Sequence, residues 1–185
     1  MIDLVNEIKK VNHSQEKRNN FTSLLVEHPD LLPELISICA QVDKEISCRA
    51  SWGLEFLCRH DIKTILPHLD AIIAILPVVY QHPAVRPMAK ICEYLIFSYY
   101  KTRSSTTRKQ LHQIHREKIT EACFDWLISD QKVATKAYAM TSLYQLGTEF
   151  TWIHPELKII LEKDYPKNSA AYKARARMIL KKLAH

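Results

Sequence analysis

The chain has 185 residues, 47% of them hydrophobic and 25% charged, with eight Pro, two Gly and a formal net charge of +6. That composition suits one globular domain with a sizeable core and excludes disordered and fibrous classes. Average usage would supply roughly a dozen glycines, and their scarcity removes the residue that tight hairpins and phosphate-cradling loops depend on, which argues against sheet-rich folds and Gly-loop nucleotide enzymes.

The opening residues, MIDLVNEIKK, contain acids and lack the continuous apolar core of a secretory signal. Residues 1–28 read as an N-terminal helical cap. From there apolar residues recur at three and four positions, the period of helices and not of strands. Leu35, Ile38, Cys39 and Val42 form one stripe, and Ile46, Ala50, Gly53, Leu54 and Leu57 the next. Leu69, Ile72, Ile73 and Leu76 precede Val85, Met88, Ala89, Cys92 and Ile96. A basic polar insertion follows at 101–113, KTRSSTTRKQLHQ, whose Ser/Thr-rich centre reads as a mobile loop. Arg103, Arg108 and Lys109 are its candidate binding residues, with Tyr99 and Tyr100 just before it as stacking groups. Ile119, Ala122, Cys123 and Trp126 then precede Val133, Ala137, Met140 and Tyr144, and Leu157, Ile160 and Leu161 precede Tyr172, Ala176, Ile179 and Leu183. Stripes this short do not make a coiled coil, so the pattern predicts paired helices.

Several junctions carry helix-start chemistry: Asp43, His82-Pro83, Ser129-Asp130 and the segment Pro166 to Ser169. Gly147 after Leu146 is a stop signal. The longest apolar run, Ala71 to Tyr80, is about half a membrane span and contains Pro77. No membrane partner is therefore expected, and the protein is placed in the cytoplasm. Cys39, Cys48, Cys58, Cys92 and Cys123 are odd in number, lie in apolar stretches and form no CxxC pair, which predicts buried, reduced thiols.

No catalytic residue, metal site or cofactor is predicted. His112 and His115 stand three apart on one helix face but lack a third ligand at a recognisable spacing, and they read as solvent-exposed. His28, His82 and His154 each precede a proline, where an imidazole caps or packs.

Aligning the second helix of each pair, EISCRASWGLEFL, PAVRPMAKICEYL, KVATKAYAMTSLYQL and AAYKARARMILKKL, brings Arg49, Arg86, Lys136 and Lys173 into one column. Their spacings are 37, 50 and 37, the long middle interval being absorbed by the insertion. Gly53, Ala89, Ala139 and Ala176 follow three or four positions later, small enough for helices to approach closely. A period in the high thirties is that of helical-repeat arrays.

Val85-Arg86 with Ala89, Asp43 with Arg49, and Asp130 with Val133 and Lys136 follow the turn-Asp and Val-Arg pattern of one superfamily, and Asn168 with Tyr172-Lys173 substitutes for it. In these features residues 30–185 resemble the HEAT and HEAT-like (armadillo-type) repeat superfamily. The resemblance implies an all-α fold, a right-handed α-α superhelix (solenoid) of about five antiparallel helix pairs forming a single domain over 1–185. It also implies a non-catalytic binding scaffold, for a protein or peptide partner, whose second helices line a concave surface. Arg49, Trp52, Arg86, Lys90, Lys136, Lys173 and Arg177 are the candidates there. In such repeats the basic residue can bridge to a turn Asp, as Asp43 offers Arg49 and Asp130 offers Lys136. Arg86 and Lys173 have no such Asp, leaving them, with Lys90 and Arg177, for an external partner.

The charge distribution keeps a second reading open. Residues 1–60 carry 7 bases against 9 acids, 61–100 carry 3 against 3, and 101–185 carry 16 against 8. A basic C-terminal half attracts acidic partners, and the alternative is a nucleic-acid-binding HEAT-like protein related to alkylation-repair DNA glycosylases. No glycosylase site transfers: Trp126 falls on an apolar stripe, Trp152 in a loop, and Asp125 has no companion motif. A third reading, self-association through an apolar end, requires Leu4, Ile8 and Val11 to be uncovered.

Overall fold

The computed structural model describes residues 2–42 and 45–184, which form helices and turns with no strand. The helices are α1 (Leu4–Lys10), α2 (Gln15–Glu27), α3 (Leu32–Ala40), α4 (Glu45–His60), α5 (Leu69–Ile75), α6 (His82–Tyr100), α7 (Ser105–Gln110), α8 (Gln113–Ile128), α9 (Val133–Leu146), α10 (Ile153–Asp164) and α11 (Ala170–Leu183). The all-α expectation is met. The aligned second-helix segments coincide with α4, α6, α9 and α11 to within a few residues.

Each of these four packs on the next: α4 on α6, α6 on α9, and α9 on α11. On the other side α3 contacts α5 and α5 contacts α8, while α3, α8 and α10 lie against α4, α9 and both α9 and α11. One continuous core runs between them, from Leu35 and Leu54 through Val85, Met88 and Leu95 to Met140, Leu157 and Ile179. All five cysteines are buried free thiols, and burial pushes the pKa of Cys39 and Cys123 up to about 12. Trp126 is likewise in the core.

The N-terminal segment holds two helices. Leu4, Ile8 and Val11 are fully buried, because α1 packs on α4, so the stripe required for self-association is already covered within the chain. The end of α1 is held by Arg49, whose Nη1 donates to the carbonyls of Lys9 and, at 3.0 Å, Val11.

Helix ends follow the predicted signals unevenly. Ser169 Oγ accepts from the Tyr172 amide at 3.3 Å, as a capping serine should, and Pro83 sits in the first turn of α6. Helix α9 begins after Lys132 with no side-chain cap, leaving Asp130 exposed and two residues before the N-cap position. Asp43 lies outside the described residues. Within the insertion, where a loop is predicted, Ser104 caps α7 through the Thr107 amide and buried Thr107 Oγ1 meets Ser98 Oγ at 2.7 Å.

Both glycines serve close approach. Gly147 ends α9 with φ −63°, so it is not a left-handed stop; a Cβ there would overlap the His154 ring. At Gly53 a Cβ would lie 2.8 Å from Phe21 Cδ1 and closer still to Cε1, which lets α4 seat against α2. Gly53→Ala is expected to destabilise the protein by about 1–2 kcal/mol, since the gain in helix propensity is smaller than the strain of displacing a buried ring. Equilibrium urea denaturation measures this, and an alanine variant as stable as wild type would show that Phe21 yields freely.

Candidate functional site

Helices α4, α6 and α9 bring together one group of polar and aromatic side chains. Arg86, Lys90 and Tyr94 recur every four residues along α6, one turn apart, and so share a face. Opposite them, on α4, stands Glu55, which is only 5% exposed. Arg86 Nη2 lies 3.8 Å from Glu55 Oε2, too far for a hydrogen bond, and that oxygen has no hydrogen-bond partner among the described residues. Burial pushes the Glu55 pKa above the usual carboxylate range, with Arg86 foremost among the cations pulling it back.

Lys90 Nζ donates to Glu93 Oε2 at 2.6 Å and lies 4.9 Å from the Tyr94 ring centroid and 4.4 Å from that of Tyr138 on α9. Arg18 and Arg59 approach the Phe56 ring at 4.7 and 5.8 Å. The surface thus offers a buried acceptor beneath guanidinium and ammonium donors, walled by aromatic rings. It can hydrogen-bond, ion-pair and make cation–π contacts with a polar segment.

Two further basic clusters lie elsewhere. Beside the C-terminal end of α6, Arg116 of α8 donates to both oxygens of Glu149, from Nη2 at 2.7 Å and Nε at 3.2 Å, and from Nη1 to the Leu111 carbonyl at 2.6 Å. Tyr100 Oη donates to Glu149 Oε2 at 2.5 Å. On α11, Arg177 donates from Nη2 and Nε to Tyr165 Oη at 2.9 and 3.2 Å, and Lys173 Nζ stands 6.0 Å from the same ring. These three clusters share no residue.

The structure therefore brings Arg86 and Lys90 together and adds Glu55, Glu93, Tyr94 and Tyr138, which the sequence reading did not single out. Charged and aromatic residues at helical spacing on α6 were the available signal. Arg103 and Arg108 meet in a cleft beside Tyr99 and Tyr100. The side chains of Lys136 and exposed Lys109 make no hydrogen bond or ion pair among the described residues, so the expected Asp130–Lys136 bridge is absent. Asp130 is exposed and lies outside α9, before its Lys132 N-cap. Arg49 is committed to the α1 carbonyls and to Glu45 and is a fold-holding residue.

Trp52 is also structural. Its Nε1 donates to the Pro83 carbonyl at 2.8 Å, which Pro87, lacking an amide hydrogen, leaves unpaired inside α6. Trp152 is exposed and stacks on Phe124 at 5.6 Å, so the three tryptophans occupy three unrelated settings.

His115 departs from its predicted exposure. It is buried, its Nδ1 accepts from the His112 amide at 3.2 Å, and its Nε2 donates to Asp70 Oδ1 at 2.7 Å, so neither ring nitrogen is free for a metal. No cluster of three metal-ligating side chains occurs among the described residues. His82 pairs with Gln131 at 3.0 Å and His154 with the Tyr144 carbonyl at 2.8 Å, packing roles as predicted. No helix among the described residues is long and apolar enough to cross a membrane. No protein-family model, curated protein or solved structure matches the chain.

Proposed function

We propose that the chain is a HEAT-like right-handed α-solenoid that acts as a non-catalytic binding scaffold for a protein or peptide partner. In this reading α1/α2, α3/α4, α5/α6, α8/α9 and α10/α11 are its five helix pairs, and α4, α6, α9 and α11 are the inner row. The serial packing of those four helices supports it. The observation that carries the function is the surface around Glu55, where Arg86, Lys90, Tyr94 and Tyr138 project from two neighbouring helices over one unpartnered acceptor.

Charge compensation favours protein over nucleic acid. Phosphate-backbone binding draws its energy from cations that release counterions, whereas Lys90 is paired with Glu93, Arg86 lies beside Glu55, and Arg116 is held by Glu149. With Arg18 and Arg59 at its edge the surface keeps a modest positive excess, which suits a segment bearing an acidic side chain next to an apolar one. Peptide display on the immobilised protein is expected to enrich such segments. Their affinity is expected to fall about tenfold or more in Arg86→Glu/Lys90→Glu, and enriched peptides that bind this variant undiminished would place the binding surface elsewhere.

The nucleic-acid reading has one observation in its favour: Lys173 and Arg177 approach Tyr165 and form no ion pair among the described residues. Fluorescence anisotropy with labelled DNA and RNA over a salt series decides it. Steeply salt-dependent binding that disappears in Lys173→Glu/Arg177→Glu would displace the scaffold proposal.

A further inference from the structure

The C-terminal end of α6, the insertion and the end of α9 enclose a cleft of about 640 Å³, distinct from the Glu55 surface. Lys101, Arg103 and Arg108 line it, together with Tyr100, Gln145 and Thr148. Its volume falls in the range of small-ligand sites, about 300–1,000 Å³. The side chains of the three cations make no hydrogen bond or ion pair among the described residues.

The cleft contains one acid, and that acid is spent. Both oxygens of Glu149 are occupied, Oε1 by Arg116 and Oε2 by Arg116 and Tyr100. Arg116 is buried, so this pairing belongs to the fold and does not discharge the field of the cleft. Three like charges in one concavity repel one another, yet one side chain, Arg108, is held against a ring, and the backbone at Arg103 is fixed. Arg108 Cζ stands 5.5 Å from the Tyr99 ring centroid, and the same ring receives Arg116 at 4.4 Å. Arg103 takes a left-handed backbone conformation, φ 51°, directly before Ser104, whose amide donates to the Ser98 carbonyl at 3.0 Å.

A concave site lined by guanidinium and ammonium donors, with neutral hydrogen-bonding groups beside them and no available carboxylate, matches a phosphoryl group, whose oxygens accept from several donors at once. We propose that this cleft binds the phosphate of a small phosphorylated ligand. Lys101 and Arg108 supply charge, Arg103 closes the rim, and Gln145 and Thr148 serve the uncharged part of the ligand.

Isothermal titration at low ionic strength with pyrophosphate, AMP and adenosine tests this. Pyrophosphate and AMP are expected to bind and adenosine not. The exposed pair Arg103→Gln/Arg108→Gln is expected to lose about tenfold or more in affinity with an unchanged thermal melt. The comparable double change at the other basic end, Lys173→Gln/Arg177→Gln, is expected to leave binding intact. The proposal is overturned if neither phosphate binds, if adenosine binds as tightly as AMP, or if both double variants weaken binding equally, which would mean diffuse attraction. A short single-stranded oligonucleotide that binds far more tightly than AMP, and is lost in the first variant, would overturn it in favour of a nucleic-acid backbone.

Discussion

Arg116→Met is expected to destabilise the protein by about 3 kcal/mol, the lower end of what breaking a buried ion pair costs. The guanidinium side chain is 8% exposed, whereas Glu149 is 34% exposed and can recover part of its hydration once abandoned. Methionine retains the apolar stem, so the loss reports the charge and the donors. Two acceptors are orphaned together, Glu149 Oε1 and the Leu111 carbonyl, while Glu149 Oε2 keeps only Tyr100. Arg116→Lys is expected to recover only part of the loss, because one ammonium cannot span a carboxylate and a backbone carbonyl as a planar fork does.

The same pair sets a pH dependence. Burial pushes the Glu149 carboxyl up, but hydrogen bonds from Arg116 and Tyr100, and the Arg116 charge, outweigh it and leave the pKa lowered. A carboxyl whose folded pKa is depressed contributes stability that is fully present above its unfolded value and is lost as pH falls through the folded one. The stability gap between wild type and Arg116→Met is therefore expected to narrow under acid. Urea denaturation at neutral and acidic pH measures it, and a gap that does not change with pH would mean that packing, not the ion pair, accounts for the difference.

Trp52→Ala is expected to cost about 3 kcal/mol, combining lost packing with an unsatisfied carbonyl. Trp52→Phe separates the two contributions: it keeps an aromatic ring, removes the donor to Pro83, and should cost about 1–2 kcal/mol. Pro87→Ala supplies the missing test, since an alanine amide at that position can bond the Pro83 carbonyl four residues back in the usual helical way. In that background the penalty of Trp52→Phe is expected to shrink by about 1 kcal/mol. Additive effects across this double-mutant cycle would show that the indole does not serve that carbonyl.

These residues mark how far the sequence could be read. The helical segments, including the four aligned ones, the buried cysteines and the core position of Trp126 were all legible, because apolar spacing at three and four residues reports directly which side of a helix leaves water. Pro87 was also visible, and a proline inside a predicted helix implies an unpaired carbonyl at Pro83. Nothing local says that Trp52 fills it.

Helix formation and the all-α character were thus determined by the sequence itself, since both follow from contacts within about one or two turns. The tertiary structure alone decided which polar residues hold the fold and which remain available. Arg49 went to the end of α1, His115 to Asp70 and Arg116 to Glu149, while Arg86 and Lys90 gathered over Glu55. Such partners lie on different helices, and a side chain at the edge of an apolar stripe finds its match through the register in which two helices pack, a quantity that no single segment encodes.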